Sequence, residues 1–195
     1  MSKKQPKELR IESLLAAAVE EFLEKGYDGA SVDAIAKRAG VSKGGFYHHF
    51  QNKEILFMMA NQRLMEPVTE MMGMACSNPS PVEGIGIYIT DYLKFWQNRP
   101  KELSFFLLSM AKILESQNLR EYYKQFIEGY TRFFIGMFQK AVKSGELTIE
   151  DPEAYALSLM GALDGIIAYA LIHPELEVEN MAERFKKVWL YRRKG

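Results

Sequence analysis

The chain has 195 residues, 48% of them hydrophobic and 26% charged, with 25 basic and 25 acidic side chains. That length can build one large or two small cores, and the zero formal net charge argues against a protein that coats nucleic acid indiscriminately. The single cysteine, Cys76, excludes an intramolecular disulfide framework and suits a reducing cytoplasm.

The first predicted element is a helix: Ile11, Leu14, Leu15, Ala18, Val19, Phe22 and Leu23 make one apolar stripe, and Gly26 is its expected stop. Glu8 and Glu12 interrupt the basic start, so this segment reads as a helix and not as a secretion signal. Ser31 is the expected cap of a short second helix that turns Ile35, Ala36 and Ala39 inward. Gly40 breaks it, Ser42 caps a third short helix running to Phe50, and Asn52 caps a fourth that runs towards Cys76.

A short helix, an Ala36-to-Gly40 turn and a second short helix form a helix-turn-helix pattern. Phe46 and Phe50, four apart, face a small core; Lys43 and Tyr47 share another face, with Gly44 and His48 beside it. A recognition helix enters the major groove by its N-terminal end. Glycines there let the backbone approach, and the free amides attract anions. Lys43 suits guanine O6/N7, Tyr47 a thymine methyl or a phosphate, and His48 and Lys53 phosphate contacts that position without specifying. Residues 1–53 carry nine basic and seven acidic side chains, a slight basic excess.

The segment ASVDAIAKRAGVSKGGFYHHFQNKEIL resembles the DNA-binding part of tetracycline-repressor-type (TetR) transcriptional regulators, over about residues 10–56. The resemblance implies base or phosphate contacts from Ser31, Ser42, Lys43, Gly44, Gly45, Tyr47, His48 and Lys53. Gly45 departs from the family, which often carries a side chain there that can touch DNA. Direct readout then falls mostly to Lys43 and Tyr47, with modest base specificity aided by DNA shape.

Further along, SNPSPVEG punctuates the chain, and Ser80 to Glu83 reads as a capping box opening a helix to about Asn98. Pro100 separates it from a helix over about 101–115. A long helix spans about 118–144, ended by Gly145; Asp151-Pro152 opens another to Ile172; a last one runs from about Val178 to Tyr191. The total is about nine helices in an all-α chain. A helix-turn-helix DNA-binding domain takes 1–53, and an effector-binding and dimerisation domain takes 54–195.

The resemblance implies that the C-terminal part dimerises and binds an effector. Small residues on the 152–172 helix, among them Ser158, Gly161, Ala162 and Gly165, permit close helix crossing, and Phe185, Val188 and Trp189 share a stripe of the last helix. The alternative is burial of both stripes within one chain. The 82–144 helices offer Tyr88, Phe95, Tyr122, Tyr123, Phe126 and Tyr130 as a re-packable effector site, with Asp91 placed for a cationic ligand. Here the alternatives are a plain core and a solvated Asp91.

No two-histidine metal face and no nucleophile–base constellation is legible, so neither a metal, a cofactor nor an enzyme is expected. The Ser109-to-Lys112 spacing matches only a fragment of a hydrolase motif, and the run 156–172 carries Asp164 mid-way, which favours a buried helix over a membrane span. The reading is therefore a homodimeric repressor that binds a pseudo-palindromic DNA operator and is released by a small lipophilic effector. Its rival is a DNA-binding architectural or cell-division protein on the same scaffold without an effector.

Overall fold

A computed structural model describes residues 7–173 and 175–191. The basic residues Lys3 and Lys4 lie outside the described residues. The described residues form nine helices and no strand: α1 (Lys7–Gly29), α2 (Val32–Arg38), α3 (Lys43–His49), α4 (Lys53–Cys76), α5 (Pro81–Gln97), α6 (Pro100–Glu115), α7 (Gln117–Lys143), α8 (Pro152–Ile172) and α9 (Val178–Trp189). They gather into two compact units. One holds the described residues up to Met65 together with Ser104–Tyr122; the other holds Glu66–Leu103 with those from Tyr123 onward. Helices α4, α6 and α7 supply residues to both.

The caps are where the side-chain chemistry demands them. Ser31, Ser42, Asn52 and Ser80 each accept the backbone N–H three residues on, at 2.8–3.1 Å, and Asp151 accepts those of Glu153 and Ala154. At Ser80 the capping box is half made, because the Ser80 N–H donates to Asn78 Oδ1 at 2.9 Å. Gly26, Gly40 and Gly145 take φ near +70°, as the turns they were assigned require. Gly26 nevertheless does not end α1. The helix kinks there and continues one turn to Gly29, held by the Ala30 N–H on the Gly26 carbonyl and by Lys53, described below.

The first unit packs Leu14, Ala18, Phe22, Ile35, Phe46, Phe50 and Leu56 into its interior. Phe22 meets Phe57 edge-on at 5.1 Å and stacks near Phe105 at 6.1 Å. Arg38 ties α2 to α1, reaching Glu24 at 2.6 Å, Glu21 at 3.1 Å and Glu20 at 3.3 Å. Glu21 is buried and also takes Lys25 at 2.6 Å, so its charge is matched.

In the second unit α5 packs against α8 and α9. Gly84 lets the start of α5 lie against the end of α4 and against α7: a Cβ there would lie 2.4 Å from the Ala75 carbonyl oxygen and 3.1 Å from Met137 Cε. The obstacle is backbone, which cannot rotate away. Gly84→Ala is therefore expected to cost about 1–3 kcal/mol, seen as a lower urea midpoint with an unchanged slope; an unaltered midpoint would show that the helices separate freely.

Glu146, in the turn after α7, accepts from the Ser80 hydroxyl, from the Ser144 hydroxyl at 2.8 Å and from the Val82 N–H at 3.2 Å. These bonds, Ser80's foremost, hold its pKa below the ordinary 4.5. A depressed carboxylate pKa contributes stability above the ordinary value and loses it as pH falls through the folded one. Glu146→Gln should flatten the acid side of a plot of Tm against pH below that value. A curve parallel to wild type would refute the assignment.

Helix α8 is long and apolar enough to cross a membrane, with mean hydropathy 1.7. It is not the wholly buried helix expected. Ala156, Leu159, Met160, Leu163 and Ile167 face the core, while Leu157, Tyr169 and Ile172 are exposed on the rest of its surface.

Candidate nucleic-acid interface

Helix α3 begins at the Ser42 cap, whose Oγ accepts the Gly45 N–H at 3.0 Å. Behind it Gly40, at φ +69°, makes the turn from α2, and the Val41 N–H bonds the Ala36 carbonyl at 2.9 Å. One side of α3 is inside, with Phe46 fully buried and Phe50, at its C-cap, 2% exposed. The opposite side carries Lys43, Gly44, Tyr47 and His48, all exposed, with Tyr47 at 50%. Tyr47 is held edge-on to Phe46 at 5.3 Å, so its ring is braced although it faces solvent.

Neither Gly44 nor Gly45 has a positive φ. A Cβ at Gly44 would touch only Ser42 Oγ, at 3.9 Å, which is ordinary contact; at Gly45 it would come to 3.3 Å from the same atom. The fold thus has no need of a glycine at 44. The Ser31 and Ser42 hydroxyls accept a backbone N–H and so each keep their own proton to donate.

Two lysines behave unlike the expectation of free cations. Lys43 Nζ lies 3.0 Å from both Asp33 oxygens, which raises its pKa through the hydrogen bond and the carboxylate charge. Lys53 is turned inward. Its ammonium donates to the Tyr27 and Ala30 carbonyls at 2.6 and 2.8 Å and sits 4.5 Å from the Tyr27 ring centroid. Desolvation lowers its pKa. The end of α1 needs those carbonyls capped, and this takes two of the three ammonium hydrogens expected for phosphate.

The residues expected at an effector site enter several different contacts. Tyr88 and Tyr130 are buried and share a hydroxyl–hydroxyl bond; burial pushes both phenols well above their ordinary pKa. Tyr92, another ring of the same helix, stacks on Tyr88 at 5.6 Å and donates to Asp164 Oδ1 at 3.0 Å. Tyr123 and Phe126 adjoin this cluster through ring contacts running to Tyr130. Phe95 instead carries Arg99 over its face at 4.7 Å. Asp91 is half-buried. Tyr122 belongs to the first unit, where its hydroxyl donates to Gln62 at 3.0 Å. Asp164, seen in the sequence only as an interruption of an apolar run, is the carboxylate that meets the tyrosines; desolvation raises its pKa. A separate apolar pocket of about 20 Å³ lies among Leu93, Trp96, Leu103, Ile167 and Met181, with room for little more than a water.

On α8, Ser158, Gly161 and Gly165 are exposed and Ala162 is half-buried. On α9, Val188 is 62% exposed, whereas Phe185 is half-buried and Trp189 packs edge-on against Tyr155 at 5.1 Å. Ser109 is buried and returns its hydroxyl to the Phe105 carbonyl at 2.7 Å, while Lys112 reaches Asp28. Among the described residues no group of three or more His, Cys, Asp or Glu side chains is arranged to hold a metal ion.

Comparison with known proteins bears on this geometry. Residues 14–58 match the family described as bacterial regulatory proteins, tetR family. Over 149 residues the chain is 26% identical to the "Fatty acid metabolism regulator protein" of Bacillus subtilis (strain 168), covering 75% of this chain and 74% of that one. Over 169 residues it is 26% identical to the "HTH-type transcriptional repressor BepR" of Brucella suis biovar 1 (strain 1330), covering 84% and 81%. Its fold superposes on that of AibR, solved with isovaleryl coenzyme A and operator DNA, with TM-score 0.73 and 23% identity over 93% of this chain and 98% of that one. With a helix-turn-helix whose recognition side is exposed and whose phenylalanines are sealed behind it, the chain belongs to the tetR family of bacterial regulatory proteins.

Proposed function

We propose that the protein is a cytoplasmic repressor. It binds a pseudo-palindromic operator as a homodimer and releases it when a small lipophilic effector occupies the C-terminal part. Residues 1–53 supply the DNA contacts and 54–195 the effector and dimer contacts. The observation that carries the DNA side is Gly44: the fold tolerates a side chain there, so its absence serves an external surface that must come close. Ser31, Ser42, Lys43, Gly44, Gly45, Tyr47 and His48 make that contact, and Lys53 keeps one hydrogen for a phosphate. Two modules read half-sites one helical turn apart, about 34–36 Å. The exposed α8 face around Ser158, Gly161 and Gly165, with Ala162 at its edge, and Val188 of α9 meet their copies in the partner; Phe185 and Trp189 support that surface from within.

The effector site is the Tyr88, Tyr130, Tyr123 and Phe126 cluster, with Phe95 and Asp91 of α5 beside it. These rings pack closely, so the effector must part them, and the DNA response is limited to its preference for the parted state. Acyl-coenzyme A thioesters are the first compounds to test, given the fatty-acid regulator among the relatives and the ligand in AibR. Selection of duplexes from a random library, followed by titration of the complex with acyl-CoAs of graded length, tests both halves. Recovery of a two-fold symmetric sequence that is released by one acyl length supports the reading. Recovery of no preferred sequence removes it, and a sequence held regardless of any lipophilic compound favours the architectural alternative.

A further inference from the structure

The recognition segment carries a carboxylate where a DNA-binding surface would be expected to avoid one. Among residues 31–50 the permanent charges are Asp33, Lys37, Arg38 and Lys43. Arg38 is turned onto Glu20, Glu21 and Glu24 of α1. Lys43, at the first position of the recognition helix, is gripped by both oxygens of Asp33 at 3.0 Å. Of three permanent cations, Lys37 alone is outside these two arrangements, so the face offers phosphates little free positive charge. The Lys43 and Asp33 side chains are 59% and 66% exposed. An exposed pair of this kind adds little to stability, so its consequence lies in what Lys43 is free to do.

We propose that Asp33 is a specificity-determining residue: it holds the Lys43 ammonium until a base edge with two acceptors, such as guanine O6/N7, replaces the carboxylate. Non-operator DNA presents mainly phosphates, which attract a lysine already paired with a carboxylate only weakly. Its affinity comes almost wholly from charge. The operator offers a fitted acceptor pair at that point, so it recovers Lys43 while random sequence does not. Asp33 thus lowers non-operator affinity more than operator affinity and widens the ratio between them, which is the quantity that matters in a genome. In a face with few other side chains able to read bases, that margin has to come from suppressing the wrong sites. This inference rests on the DNA-binding reading above.

The test uses the full-length protein, a scrambled duplex of about 30 base pairs and the duplex recovered by selection, with affinities measured across a salt series. Asp33→Asn is expected to bind the scrambled duplex roughly tenfold more tightly at low salt, with the salt slope steeper by about two per dimer. Selected-duplex affinity rises less, so the specificity ratio falls. Asp33→Glu keeps wild-type behaviour, and Asp33→Ser repeats the Asn result should the amide fold poorly. In a Lys43→Ala background, Asp33→Asn changes scrambled-duplex affinity by less than about twofold. An unchanged slope and affinity in Asp33→Asn overturns the proposal. So does an effect of equal size without Lys43, because Asp33 would then act on phosphate directly. If wild type binds no duplex at all, the DNA-binding reading fails first and takes this one with it.

Discussion

A chain carrying Lys43→Ala together with Tyr47→Ala should lose about ten-thousandfold in affinity for its operator while melting at the wild-type temperature. The size follows from counting contacts. Each base-edge contact discriminates by roughly a factor of ten or more, and two residues act in each of two half-sites. The unchanged melting follows from exposure. Tyr47 is half exposed, and Lys43 gives up only a surface ion pair with Asp33. Fluorescence anisotropy on the selected duplex measures the first quantity, and far-UV circular dichroism on heating measures the second. A double variant that still binds its operator normally would show that the exposed side of α3 is not the reading side. One that melts early would show that the side chains hold the module together, and the affinity loss would then say nothing of recognition.

Most of the fold was legible because the signals that set it are local. Ser31, Ser42, Asn52, Ser80 and Asp151 each bond an amide two or three residues on, so residue type and position were enough. The two faces of α3 follow from a spacing of four, which places Phe46 with Phe50 and Lys43 with Tyr47 in any helix. What stayed hidden depends on residues far apart in the chain. The extra turn after Gly26 is stabilised by Lys53, whose partners lie 26 and 23 positions earlier, and no local pattern marks that. The Asp33–Lys43 pair spans ten residues and one sharp turn. Each charge was visible, but their meeting depends on the angle between α2 and α3.

The effector side shows the same limit more severely. Tyr92 and Asp164 are 72 residues apart, and Asp91 was the carboxylate that helical spacing offered instead of Asp164. Spacing within one helix says which side chains share a face; it does not say which other helix that face meets. The grouping of Ser104–Tyr122 with the N-terminal helices has the same origin. Lys112 reaches Asp28 at 3.0 Å and Ser116 donates to Glu54 at 2.7 Å, and neither partner is within sixty positions of the other in sequence.

Phe46→Ala should produce the opposite outcome to the surface pair, from a residue on the same short helix. Phe46 has no exposed surface, and its ring lies 5.7 Å from that of Phe50. Truncating a buried phenylalanine costs about 3–5 kcal/mol through lost burial and the cavity left behind. Whole domains are stable by only about 5–15 kcal/mol, and α2 and α3 are seven residues each, with no internal reserve of helix stability at that length. The variant is therefore expected to lose operator binding together with the order of its N-terminal helices. Limited proteolysis should cut first within residues 31–53, and the thermal transition should move down or split. Phe46→Leu, which keeps much of the volume, should lose far less. If Phe46→Ala resists protease and melts like wild type, the phenylalanine is not the anchor of α3. The assignment of its inner and outer faces, on which the DNA contacts of Lys43 and Tyr47 rest, would then have to be reversed.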